Sequence, residues 1–387
     1  MIPYGRQDIT AEDIAEVTAV LKSDLITQGP SVGRFEQSIA RYCGARHGVA
    51  VNSGTSALHI ACQALGLGPG DRLWTSPYSF VASANCGRYC GADVDFVDID
   101  PRSGNMDVNA LASKLQRAAA AGKLPKVVVP VHFAGLSCDM SAFGELARQY
   151  GFQLLEDAAH ALGGRYRGRP VGSCRHSAIC IFSFHPVKLI TTGEGGVAVT
   201  NDEWLADRMA RLRSHGITRE PAAMSQPPDG PWYYQQLELG HNYRMTDFQA
   251  ALGSCQLRRL DENVARRREL ALRYNRLLSD LPLLLPESAD FEESAMHLYT
   301  VQLDPSRTRV TREALFEQLR SAGIGVSVHY IPIHTQPYYR RLGFSPGDFP
   351  HAEQRYARTL SLPLFPNLDR AQQDSVIDAL KRGLKSA

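Results

Sequence analysis

Short apolar runs alternate with helical patterns from residue 49 to about residue 200, and that alternation leaves few folds open. Runs at 49–52, 72–75, 94–97, 127–131 and 152–156 are rich in Val, Leu, Trp or Phe and are bounded by turn-forming residues. A succession of this kind predicts an α/β architecture, a mostly parallel sheet with helices on both faces. Ahead of it, Thr10 to Ser23 predicts an amphipathic helix capped by Thr10, with Ile14, Val17, Val20 and Leu21 on one face. Residues 178–184 and 197–200 read as two strands flanking a loop. Arginine-rich 258–276 reads as a long solvated helix, and 297–303, 311–322 and 324–330 as strand, helix and strand. These divide the chain at about residue 255, into a large domain at 1–255 and a linking helix with a small α/β domain at 256–387.

Ligands of open α/β sheets bind outside the carboxyl ends of the strands, so the residues there carry the functional signal. Asp157 follows the run at 152–156, where a carboxylate can keep a pyridine nitrogen protonated or simply cap a turn. Ser53-Gly54-Thr55 lies between a strand and a helix, a place for a phosphate on unpaired backbone N–H groups or for an ordinary N-cap. Ser183 could add a hydroxyl to the same anion. Tyr78 or Phe80, after a proline turn, could stack on a flat ring. Lys188, set among Val187, Leu189 and Ile190, is poorly solvated as a cation, and its lowered pKa makes it a candidate nucleophile toward an aldehyde. No Gly-x-Gly-x-x-Gly follows the first strand, which disfavours a nicotinamide cofactor.

Charge narrows the partners. Lys and Arg total 42 against 40 Asp and Glu, a net charge of +2, so no field recruits nucleic acid or an anionic membrane. The first eight residues have no apolar signal core and no run approaches a membrane span, so a cytoplasmic protein is expected. The 8 cysteines show no Cys-x-x-Cys pairing and should be reduced; Cys174 with His176 makes no metal site. The proline-rich stretch 220–231 reads as a surface loop or as a lid.

Four segments in order resemble one family over nearly the whole chain: 183–196 with Lys188, Glu156-Asp157-Ala158-Ala159-His160, Gly240-His241-Asn242-Tyr243-Arg244 through Gly253, and Val328-His329-Tyr330-Ile331-Pro332-Ile333-His334. They resemble the DegT/DnrJ/EryC1/StrS sugar aminotransferases, which implies the aspartate aminotransferase fold (type I) and pyridoxal 5′-phosphate, with pyridoxamine 5′-phosphate as the intermediate form. The resemblance implies that Lys188 attaches the coenzyme and moves the proton, Asp157 holds the ring nitrogen, Phe80 and His160 lie at the ring, and Gly54, Thr55 and Ser183 bind the phosphate. It implies that Asn242 reaches across from a neighbouring subunit, making a homodimer with a shared site. Tyr4, Leu25, Ile26, Thr27, Asn242, His329 and Tyr330 match positions that hold a nucleotide sugar. Ser214-His215-Gly216-Ile217, the 240–244 spelling, 328–334 and His160 resemble the branch that aminates C4 of a UDP-linked 4-keto-6-deoxy-N-acetylhexosamine in pseudaminic acid biosynthesis, with L-glutamate as donor and 2-oxoglutarate released. Gly54 departs from that branch, where alanine is common. Another UDP- or dTDP-linked keto sugar, a sugar dehydratase or a non-catalytic regulatory homologue are the other readings.

Overall fold

The computed structural model describes residues 1–385. Seven strands form the main sheet: β1 (His47–Val51), β2 (Arg72–Thr75), β3 (Asp93–Phe96), β4 (Val127–Val129), β5 (Gln153–Asp157), β6 (Ile179–Ser183) and β7 (Gly196–Thr200). Their spatial order is β1-β7-β6-β5-β4-β2-β3. Neighbours from β6 to β3 run parallel, while β7 is antiparallel to both β1 and β6. The exception follows from connection length: β6 and β7 are joined directly by residues 184–195, and a direct loop returns the chain antiparallel.

Successive strand residues serve opposite faces. Ile179 and Ile181 pack into the cluster containing Ala57, Ile60 and Ala61 of α3 (Gly54–Ala64), whereas Cys180 and Phe182 join the cluster of Phe35 and Ile39 of α2 (Pro30–Cys43). Both faces are therefore covered, as the apolar strands require.

α1 (Ala11–Leu21) starts where expected, with Thr10 and Asp13 forming a reciprocal capping box. Its orientation differs from the expected one. Asp13 is the buried residue, held by Gln256 at 2.7 Å and Arg259 at 2.9 Å, while Ile14 and Leu21 are exposed. A charge already met by two donors satisfies burial, and Ile14 and Leu21 are left outward while Val17 and Val20 stay half-buried.

A second core gathers Leu270, Tyr274, Tyr299, Val301, Leu315, Leu362, Val376 and Leu380. It surrounds a three-stranded sheet of residues 283–284, 299–303 and 359–362. The arginine-rich stretch is one long helix, Leu260–Leu278, as expected, preceded by a separate helix at Asp247–Leu257, but it is not solvated throughout: Arg267 is buried, donating to the carbonyls of His297 at 3.2 Å and Leu364 at 2.8 Å. Residues 324–330 form no strand, only single bridges from Ile324 to Ile2 and from Ser327 to Ser361. The 220–231 stretch connects two short paired strands, 217–218 and 235–236. No helix among the described residues is long and apolar enough to cross a membrane.

Candidate active site

The carboxyl ends of β5 and β6 and the start of α3 open into a cavity of about 580 Å³. Ten of the residues singled out in the sequence line it: Tyr4, Gly54, Thr55, Phe80, Asp157, His160, Ser183, Lys188, His329 and Tyr330. They arrive from distant parts of the chain. The N-terminal segment carries Tyr4 in, anchored where Ile2 and Gly323–Gly325 exchange backbone bonds and where Leu364 N–H donates to the Tyr4 carbonyl at 3.0 Å. Residues 328–330 leave the second core to reach the same cavity, and Tyr78 fastens them by donating its hydroxyl to the His329 carbonyl at 2.6 Å. Tyr78 is thus buried structure, and Phe80, more than half exposed, is the aromatic on the cavity wall.

Lys188 sits in the β6–β7 loop, which Leu189 and Ile190 bury and which Thr191 and Thr192 brace on the Phe184 carbonyl, both at 3.0 Å. Desolvation lowers its amine to about 8, opposed by the nearby Asp157 carboxylate. Asp157 is fixed through both oxygens: one accepts from Ala159 N–H at 3.1 Å, the other from the Ser83 hydroxyl at 2.6 Å. The capping reading of Asp157 therefore holds as well as its cavity position.

Ser53 is the N-cap of α3, accepting from Ser56 N–H at 3.1 Å. Gly54 and Thr55 open that helix, where backbone N–H groups have no intrahelical partner, and both line the cavity at the positive end of the helix dipole. A Cβ on Gly54 would stand 2.9 Å from Ser183 Cβ, so glycine keeps this cradle open beside the Ser183 hydroxyl. An alanine there would push Ser183 aside.

The far wall holds neutral imidazoles. Burial, with Lys188 adding to it, lowers His329 to about 4, and its Nδ1 pairs with Ser361 at 2.7 Å. His160 is depressed by the same causes and pairs through Nε2 with the Tyr330 hydroxyl at 3.0 Å. Its Nδ1 is buried without a partner. A desolvated amine, a fixed carboxylate, an anion cradle and an unpartnered imidazole nitrogen together fit pyridoxal phosphate, which presents an aldehyde, a ring nitrogen, a phosphate and a ring hydroxyl.

Leu25, Ile26, Thr27 and Asn242 do not line this cavity. Ile26, Thr27 and Asn242 pair elsewhere, with residues 214 and 246–247. Thr27 bridges to Thr246, Asp247 N–H donates to the Ile26 carbonyl at 2.9 Å, and Asn242 bridges to Ser214. Asp247 is the residue that sequence reasoning missed here: buried, it accepts from Gly29 N–H and Ser31 N–H, each at 2.7 Å, and so caps α2, whose own N-cap Gly29 has no side chain. Ser79, Ser83, His185 and Glu194 also line the cavity and had no signal beyond lying inside quoted motifs.

The profile of the DegT/DnrJ/EryC1/StrS aminotransferase family matches residues 7–381. The spore coat polysaccharide biosynthesis protein SpsC of Bacillus subtilis is 42% identical over 390 residues, covering 100% of this chain and 98% of that one. The UDP-4-amino-4,6-dideoxy-N-acetyl-beta-L-altrosamine transaminase of Campylobacter jejuni is 37% identical, covering 98% and 96%. Among solved structures, Helicobacter pylori PseC, an aminotransferase involved in the biosynthesis of pseudoaminic acid, superposes with a TM-score of 0.90 at 30% identity and 100% coverage of both chains.

Proposed function

Since this chain belongs to the DegT/DnrJ/EryC1/StrS aminotransferase family and is a pyridoxal-phosphate-dependent sugar aminotransferase, we propose that it moves the amino group of L-glutamate to C4 of a UDP-linked 4-keto-6-deoxy-N-acetylhexosamine, the step that serves pseudaminic acid biosynthesis. The observation that carries the catalytic reading is the opening of Lys188 and Asp157 into one cavity, with the lysine amine lowered to about 8. Identity to the altrosamine transaminase and likeness to PseC support the acceptor.

In this reading Ser53, Gly54, Thr55 and Ser183 hold the coenzyme phosphate, and Asp157 holds the charge of the ring nitrogen. When bound, the coenzyme supplies an electrophilic carbon that accepts nitrogen and a ring that withdraws electrons. An amine with a pKa of about 8 is in part unprotonated at neutral pH, so Lys188 can take the α-proton of the amino donor and return a proton at C4 of the sugar. His329, neutral through the physiological range, can donate or accept one hydrogen bond to a sugar hydroxyl without introducing charge. Tyr4 stands beside it, ring centroids 5.4 Å apart, as a wall for the nucleotide sugar.

Asn242, outside its own chain's cavity, serves a partner's site in a homodimer. The exposed apolar residues Ile9, Ile14, Leu21, Leu25 and Ile26, close together in the chain, support this, since a second copy would cover them. We assign coenzyme binding to residues 1–255 and the His329–Tyr330 wall to residues 256–387.

The higher identity to SpsC favours a second reading, an acceptor that is another UDP- or dTDP-linked keto sugar. Purified enzyme, coenzyme and L-glutamate, offered a panel of UDP- and dTDP-linked 4-keto sugars, should yield by mass spectrometry an amino sugar from the UDP-linked N-acetylhexosamine. Amination of a different member alone moves the assignment to that acceptor, and no aminated product from any member overturns aminotransfer to these sugars.

A further inference from the structure

We infer that Ser83 is a positioning residue for Asp157, oriented in turn by Ser79, so that a two-hydroxyl chain sets how the carboxylate meets the coenzyme ring. The inference rests on the coenzyme reading above and goes beyond it.

The geometry fixes the direction of the chain. Ser83 Oγ lies 2.6 Å from Asp157 Oδ2, and an ionised carboxylate can only accept, so the single hydroxyl proton of Ser83 is committed to Asp157. Ser79 Oγ lies 2.8 Å from Ser83 Oγ. With Ser83's proton already spent, the donor in that contact is Ser79. The order Ser79 to Ser83 to Asp157 follows, and hydrogen bonds in series polarise and strengthen one another at low local dielectric. All three side chains are at least 95% buried, so water does not replace the contacts at no cost.

The placement of donors defines the carboxylate plane. Ala159 N–H, from the turn that follows β5, binds Oδ1, and Ser83, from the first turn of α4 (Ala82–Tyr89), binds Oδ2. One donor on each oxygen stops rotation about the Cβ–Cγ bond and leaves the remaining lone pairs for the ring nitrogen. Ser79 and Ser83 both line the cavity, four residues apart, so neither is plain core. Removing the Ser83 hydroxyl leaves Asp157 free to turn, and the part of the coenzyme that reads this is the ring nitrogen.

The test compares pyridoxal phosphate with its 1-deaza analogue, which has carbon in place of the ring nitrogen and keeps the aldehyde and phosphate. Dissociation constants are measured by fluorescence quenching for wild type, Ser83→Ala, Ser83→Thr and Ser79→Ala. Ser83→Ala is expected to weaken pyridoxal phosphate by about tenfold, the order of one hydrogen bond to a charged group, and to leave the deaza analogue within about twofold of wild type. Ser83→Thr, which keeps the hydroxyl, restores binding, and Ser79→Ala shows a smaller effect of the same pattern. Equal weakening of both ligands, or no weakening of either, overturns the inference. If Ser83→Ala does not fold, Ser79→Ala is read by the same criterion. Failure of wild type to bind pyridoxal phosphate would sink the coenzyme reading itself, an outcome distinct from these.

Discussion

Lys188→Met offers a direct measure of the electrostatic strain held at the site. The lysine amine titrates at 10.5 in an unfolded chain and at about 8 in the cavity, so the charged form is disfavoured by folding. Below about pH 8 the amine is protonated in both states, and the folded protein bears the full penalty, about 3 kcal/mol at 1.36 kcal/mol per pKa unit. Between about pH 8 and 10.5 the folded state binds fewer protons than the unfolded one, so stability rises with pH and the penalty fades. Methionine matches the lysine stem in length and carries no charge. In coenzyme-free protein, Lys188→Met should therefore be more stable than wild type by about 3 kcal/mol near pH 6.5 and by roughly 1 kcal/mol near pH 9.5. Urea denaturation of both proteins at the two pH values gives the difference, in which groups that do not feel Lys188 cancel, while the buried His160 and His329, which do feel it, are neutral at both pH values. A variant that is less stable at both pH values, or a difference that does not shrink with pH, would refute the claim that desolvation sets the state of this amine.

Three further outcomes test the remaining assignments. Asp247→Ala removes the acceptor of two backbone N–H groups and should destabilise the fold by about 2 kcal/mol, raise KM for the nucleotide sugar and spare coenzyme affinity; unchanged KM would separate the 25–29 turn from substrate binding. Gly54→Val places a side chain within 2.9 Å of Ser183 Cβ and should weaken pyridoxal phosphate binding by at least about tenfold, seen by equilibrium dialysis, with little change in melting temperature. Mixing Lys188→Ala with Asn242→Ala subunits, each inactive alone, should recover about a quarter of wild-type activity, because half the dimers are mixed and each has one intact site. No recovery after demonstrated subunit exchange would place Asn242 in its own chain's chemistry.

How far the sequence reaches is clear from particular residues. The N-cap at Thr10, the strand-to-helix turn at Ser53-Gly54-Thr55 and the apolar strands were legible because each depends on neighbours within a few residues. The resemblance carried Asp157, Lys188 and His329 into one site although they are far apart in the chain. What stayed hidden depends on contacts between distant segments. Helical periodicity placed Ile14 and Leu21 on one apolar face with Val17 and Val20, and a polar pairing of Asp13 with Gln256 and Arg259, more than two hundred residues away, rolled the helix so that Ile14 and Leu21 are exposed and the two valines only half-buried. An arginine run looked solvated, yet Arg267 found two carbonyls to receive its charge and went inside.

Local chemistry and pattern thus determined the elements, the sheet class and the identity of the reactive groups, since propensity, capping and apolar period act within a few residues of chain. The tertiary structure decided what those groups can do. It dried the lysine, clamped Asp157 between a serine and a backbone amide, and capped α2 with the Asp247 carboxylate. Desolvation and hydrogen-bond geometry are properties of an assembled interior, and no stretch of sequence has an interior of its own.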